Sequence, residues 1–342
     1  MLVNGWAIAL MICSVGILFL GLMAAWCGIK VVCFWDSGAD TARQIRLETE
    51  VWLTSALMKY ALFFQVVSLV MLVLAADAFS GALVGAMCAT GAFLANDYGI
   101  VTLLVKIVLV FFCGYWLLLN HLDNQSESYP LVKSKYIFLF FLLPLMVVDA
   151  VFQFLYLIKL EPDVLTSCCG VLFKSSSGDG YNLLDPYSPV LLLGSLYLTT
   201  FILATSGIQL FYTAQKGKSY SNAILMLNTT GWIVFFPTAL WTVIVFFSSY
   251  IYAMPSHRCP FDILQANYSY IGFPIYLSLF SATFLGATSG LIEPLKKLAG
   301  LAVPVSRYRA MAIPASILFL IIFILITAYA PVVYLVVGGE VS

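Results

Sequence analysis

The segment Met311–Val337, MAIPASILFLIIFILITAYAPVVYLVV, runs 27 residues without a charged side chain. As a helix it would be about 40 Å long at ~1.5 Å per residue, more than the ~30 Å of a bilayer's hydrocarbon core. In hydrocarbon every backbone N–H and C=O must find its partner internally, which leaves helices and closed barrels as spanning structures. Similar runs recur at Trp6–Phe34, Trp52–Ala76, Gly99–Asn120, Tyr136–Leu160, Pro189–Thr213, Asn222–Met254 and Ile263–Ile292. The ~10-residue alternating segments of a membrane barrel are absent. The chain therefore reads as all-α: a polytopic integral membrane protein, a bundle of eight or nine transmembrane helices forming one domain over residues 1–342.

Composition excludes the soluble alternative. Charged residues are 9% and hydrophobic ones 62%, with mean hydropathy +1.01, whereas soluble domains carry about 25% charge. A net charge of zero without a basic run argues against nucleic-acid partners. The first apolar run is too long for a secretory signal core and has no basic start, so it is expected to be a retained helix.

The stretch FSGALVGAMCATGAFLAND, Phe79–Asp97, is short and rich in small residues. It is read as a ninth span, with a re-entrant element as the alternative. Gly81, Gly85 and Ala89 would form a ladder for close helix packing. The preceding DTARQIRLETEVW suits an interfacial or helix-extending segment, with Arg46 and Glu50 at i,i+4.

Lysine and arginine set the orientation. Lys133 and Lys135, then Lys216 and Lys218, then Lys296, Lys297, Arg307 and Arg309 fall in alternate loops. Those loops are expected in the cytoplasm, which puts 161–188, 255–262 and the C-terminus on the outward side of a plasma or inner membrane.

Lys59, Lys106 and Asp149 lie within expected spans, where charged groups pair or line a wet path. Lys59 lies close enough to a membrane face to snorkel. Lys106 and Asp149 are nearly equidistant from Glu127, at the centre of the loop joining their helices. An antiparallel hairpin brings them to one depth, so an intramembrane ion pair is expected. It is either a structural register pin or part of a proton or substrate relay. Thr199, Thr200, Thr205, Ser206, Gln209, Asn228, Thr229 and Thr230 either line a cavity or bond between helices.

Eight cysteines are many for so apolar a chain. Cys13 and Cys113, amid large apolar neighbours, read as buried small hydrophobes. Cys27 and Cys33 close the first run. Cys168 and Cys169 (TSCCG) and Cys259 (HRCPFD) occupy two outward loops, and Cys88 (GAMCATG) the ambiguous stretch. Outside the cytoplasm thiols oxidise or are held reduced for a purpose. Three readings follow. Cys259 bridges to one of the vicinal pair. Alternatively Cys259, flanked by His257 and Arg258, acts with Cys168 and Cys169 in thiol–disulfide exchange. In the third, Cys88, Cys168, Cys169, Cys259 and His257 hold a soft metal such as Cu(I), or zinc. Asp262, after Pro260, is expected to cap the next helix.

No C-x-x-C is present, and quinone-linked disulfide-generating membrane enzymes commonly carry one. With only His121 and His257, bis-histidine haem on one face is not expected. No Walker A, H-E-x-x-H or G-x-S-x-G occurs. The leading expectation is an outward cysteine cluster handling thiol redox chemistry or a soft metal for extracytoplasmic protein maturation. The alternative is a transporter or a non-catalytic transmembrane subunit of a larger complex. Expected partners are the bilayer and other membrane or extracytoplasmic subunits.

Overall fold

A computed structural model describes residues 4–36, 41–86, 88–161, 188–216, 221–253 and 258–337. Among these residues the regular structure is all helical, without strands, and eight of the helices are long and apolar enough to cross a membrane. The protein is an all-α polytopic integral membrane protein. Its chain divides into two compact units, Met1–Thr166 with Leu295–Pro304, and Ser167–Pro294 with Val305–Ser342.

The first unit contains α1 (Gly5–Phe34), α2 (Ala42–Ser80), the short α3 (Ala89–Leu94), α4 (Gly99–Asp123) and α5 (Val132–Ile158). Asn4 caps α1 and Thr41 caps α2, each accepting a hydrogen bond from a first-turn backbone N–H. Helix α1 packs on α2 and α5, and α4 on both α2 and α5. Their shared core holds Met58, Leu62, Leu109, Trp116, Tyr136 and Leu139. Gly21 and Gly28 let α1 approach closely, since a Cβ there would sit 3.0 Å from Leu143 and Tyr136 respectively. Side chains such as Phe19, Trp26, Trp52 and Phe141 face outward, as lipid contact demands.

One expectation changes here. Phe79–Asp97 is not a ninth span. Helix α2 ends at Ser80, turns follow, and only Ala89–Leu94 is helical, about 9 Å of rise. Gly85, at φ +83°, sits in one of those turns, a conformation that favours glycine. The Gly81–Gly85–Ala89 ladder therefore has no continuous helix to lie on. The polar segment before Trp52 takes the helix-extending alternative and lengthens α2 to 39 residues. Glu50 pairs there with Lys30 of α1 at 2.7 Å.

The second unit contains α6 (Pro189–Gln215), α7 (Asn222–Thr242), α8 (Ser248–Ile251), α9 (Gly272–Leu291) and most of α10 (Ala302–Val337). A π-helical turn, Val243–Phe247, joins α7 to α8 in one 30-residue span. Helix α7 packs on α6 and α9. Glycines on α9 make this contact tight: a Cβ on Gly286 would lie 2.1 Å from the Trp232 ring. The expected helix from Ile263 begins only at Gly272. Two 3₁₀ turns, Asp262–Leu264 and Ala266–Tyr268, precede it.

Candidate functional site

Buried polar groups concentrate in two places. The first lies among α2, α4 and α5. Lys106 Nζ is 2.8 Å from Asp149 Oδ2, and both side chains are almost fully buried. Equal depth about the α4–α5 loop brings these two residues together, as expected from the sequence. Two neighbours on α2 join them that sequence position alone does not reveal: Gln65 Nε2 donates to the same oxygen at 2.6 Å, and Ser68 Oγ accepts from Lys106 at 3.1 Å. An i,i+3 polar pair inside an apolar run was the available signal. On α5, Gln153 donates to Leu10 O and Ser14 Oγ of α1.

A second lysine–aspartate pair closes the α4–α5 turn. Lys135 Nζ lies 2.8 Å from Asp123 Oδ2 and donates to Asn120 Oδ1, while Asp123 Oδ1 accepts Leu131 N–H. Lys135, placed in a cytoplasmic loop by its sequence position, is buried on α5, and its carbonyl accepts Trp116 Nε1–H. Arg309, likewise placed in a loop, is buried on α10 and paired with Glu293.

The second place is the turn between α8 and α9. Tyr252, just past α8, donates its hydroxyl to Cys259 O and accepts Ile263 N–H at 3.1 Å. Tyr276 of α9 donates to Pro260 O at 2.6 Å. Two phenols thus pin the backbone on both sides of Cys259–Pro260. The Cys259 sulfur is buried and accepts Phe261 N–H at 3.4 Å. Asp262 is buried, and one of its carboxylate oxygens lies within 4.8 Å of Cys259 Sγ. It does not cap α9: it opens a 3₁₀ turn, with its side chain beside sulfur.

Burial, with the potential anions at Cys259 and Asp262, pushes the Tyr252 phenol well above its ordinary range. Tyr268, whose ring meets Tyr252 edge-on, is raised by the same causes. Both hydroxyls remain protonated at neutral pH, as the Tyr252 donor role requires.

Of the other expected site residues, Cys168, Cys169 and His257 lie outside the described residues. Arg258 is half-buried at the start of the turn. Cys88 belongs to the first unit, buried at the N-terminal end of α3. Cys113 is buried as expected, Cys13 only partly so; Cys27 is buried near the Tyr136 hydroxyl, and Cys33 is exposed. Thr199, Thr205, Thr229 and Thr230 bond to carbonyls of their own helices, while Asn228 reaches Ser206 across the α6–α7 contact at 2.8 Å. These hydroxyls and the Asn228 amide take part in helix hydrogen bonding, while Thr200 Oγ1 is buried without a hydrogen-bond partner.

Comparison with known protein families, curated proteins and solved structures found no match. The chemistry of these sites rests on their own geometry.

Proposed function

We propose that this integral membrane protein holds a metal ion at Cys259 and Asp262 in extracytoplasmic protein maturation. The distribution of Lys and Arg supports an outward position for this turn. One observation carries the reading: a buried thiol sulfur and a buried carboxylate oxygen within 4.8 Å, in a turn pinned by Tyr252 and Tyr276. Tetrahedral zinc, with bonds of about 2.0–2.3 Å, holds neighbouring ligands about 3.5–4 Å apart. A small side-chain shift is enough to seat one ion on both.

The carboxylate also bears on which metal. Cu(I) prefers thiolate, thioether and imidazole, whereas zinc accepts sulfur, nitrogen and carboxylate together. Asp262 moves the balance from Cu(I) toward zinc. His257, Cys168 and Cys169 are the proposed further donors. A nucleophilic role for Cys259 fits less well, because reactive thiolates sit in partly exposed, electropositive surroundings. Cys259 is fully buried and lies beside an acid.

The test is titration of the full chain in lipid nanodiscs with Zn²⁺ and with Cu(I). Cys259→Ser and Asp262→Asn should each weaken zinc binding at least tenfold. Cys88→Ser, Cys168→Ser, Cys169→Ser and His257→Ala complete the series. Rapid alkylation with mass spectrometry runs in parallel. A non-reducible bridge at Cys259 with no bound metal would sink both the metal and the redox versions.

A second reading, a transporter or non-catalytic subunit of a membrane complex, is favoured by the buried Lys106–Asp149 pair. Loss of function in Lys106→Met or Asp149→Asn, with Cys259→Ser unaffected, would make it the better account.

A further inference from the structure

The hydrogen bonding of the Lys106–Asp149 pair is lopsided. Oδ2 of Asp149 accepts from both Lys106 and Gln65, while the buried Oδ1 has no hydrogen-bond partner. One turn along α5, Gln153 spends Nε2 on Leu10 O and Ser14 Oγ, at 3.0 and 2.8 Å, and its buried Oε1 is likewise without a partner. The amide orientation is fixed. A carbonyl only accepts, so flipping Gln153 would set its oxygen against Leu10 O. Residues at i and i+4 share a helix face, their Cβ atoms about 5–6 Å apart. Helix α5 thus presents two acceptor oxygens, one carrying charge, inside a packed bundle.

An occupant of this place must bring two donors, and its charge is limited by the neighbours. Lys106 of α4 already balances Asp149. Titratable neighbours of the pair include the thiols of Cys13 on α1 and Cys113 on α4, and α2 contributes the neutral Gln65 and Ser68. A bound metal cation would leave an uncompensated positive charge in low dielectric. Water carries no charge, has two donors, and in protein interiors bridges such groups with about three hydrogen bonds.

We propose that Asp149 Oδ1 and Gln153 Oε1 hold a water molecule that makes the Lys106–Asp149 pair an intramembrane proton-exchange site. In the exchange step a hydronium formed at that water, its proton drawn from bulk water, transfers the proton to Oδ1. One O–H bond breaks, one forms, and no electrons change hands. The ammonium–carboxylate pair becomes ammonium and carboxylic acid; release reverses the step. Lys106 positions Asp149 in both states and balances its charge while the carboxylate is ionised; the protonated state carries one positive charge and is populated only on acidification. This site lies in the first unit and is independent of the metal reading at Cys259.

Infrared difference spectroscopy of the full chain in nanodiscs tests it, with pH steps and transfer into D₂O. A carboxylic acid C=O band should grow on acidification, shift within seconds in D₂O, and vanish in Asp149→Asn. Gln153→Leu should slow that exchange at least tenfold. If Asp149→Asn does not fold, the Lys106→Met/Asp149→Asn double variant assigns the band, since removing both charges of a buried pair is well tolerated. No exchangeable band at Asp149 across the stable pH range, or exchange unaffected by Gln153→Leu, overturns the proposal.

Discussion

Buried carboxylates in the two units have different neighbours. In the first, Asp123 and Asp149 each face a lysine on α5 or α4 at 2.8 Å. Each pair is a neutral object, which is how a charge survives in a low-dielectric bundle. In the second, Asp262 stands beside the sulfur of Cys259, a second potential anion. Two groups that both gain negative charge on deprotonation make a donor set. The difference teaches where to look for a cation ligand: at the turn before α9 and not in the helical core.

The strongest way to break this contrast is to remove one lysine. Lys135→Met leaves Asp123 buried with its counter-charge gone, and should destabilise the protein by about 3–5 kcal/mol in thermal unfolding in detergent. Lys106→Met should fall in the same range. Restoring neutrality separates the two pairs. Lys106→Met/Asp149→Asn, which keeps an acceptor for Gln65 Nε2, should return to within about 1.5 kcal/mol of wild type. Lys135→Met/Asp123→Leu should stay about 1–3 kcal/mol below, because Leu131 N–H loses its acceptor. Equal recovery of both double variants would show that Asp123 does no more than balance charge.

A smaller effect sharpens the other half. Tyr252→Phe removes a donor to Cys259 O and an acceptor from Ile263 N–H, and should cost about 1–3 kcal/mol. It should also weaken zinc binding about tenfold, the usual penalty when support around a ligand is lost. The same residue gives a pH test. Its phenol is raised in the folded protein, so the folded state holds the proton after the unfolded chain has released it. That stability is present below the ordinary phenol value of about 10 and declines as pH rises beyond it. Tyr252→Phe should flatten the alkaline limb of a stability–pH curve. Least affected should be Thr205→Val: its exposed hydroxyl bonds only to its own helix, and a change under about 0.5 kcal/mol is expected.

The span pattern was readable because hydrocarbon imposes a length and excludes charge, and all eight long runs recur as helices. Phe79–Asp97 misled because small residues raise hydropathy as much in turns as in packed helices. Lys106 with Asp149 could be named from hairpin depth, a one-dimensional argument. Gln65 and Gln153 could not, since their roles depend on which helix faces which. Lys135 and Arg309 were assigned to loops by sequence position, yet packing buries them. Asp262 followed a proline and matched a cap. Only the 3₁₀ turns that delay α9 to Gly272 turn its carboxylate toward sulfur.

The most direct test of the central reading is zinc stoichiometry of the reduced full chain in nanodiscs, wild type against Cys259→Ser. One tightly held zinc per chain in the wild type, lost in the variant, is the predicted result. Equal zinc content in the two proteins, or none in either, would contradict it.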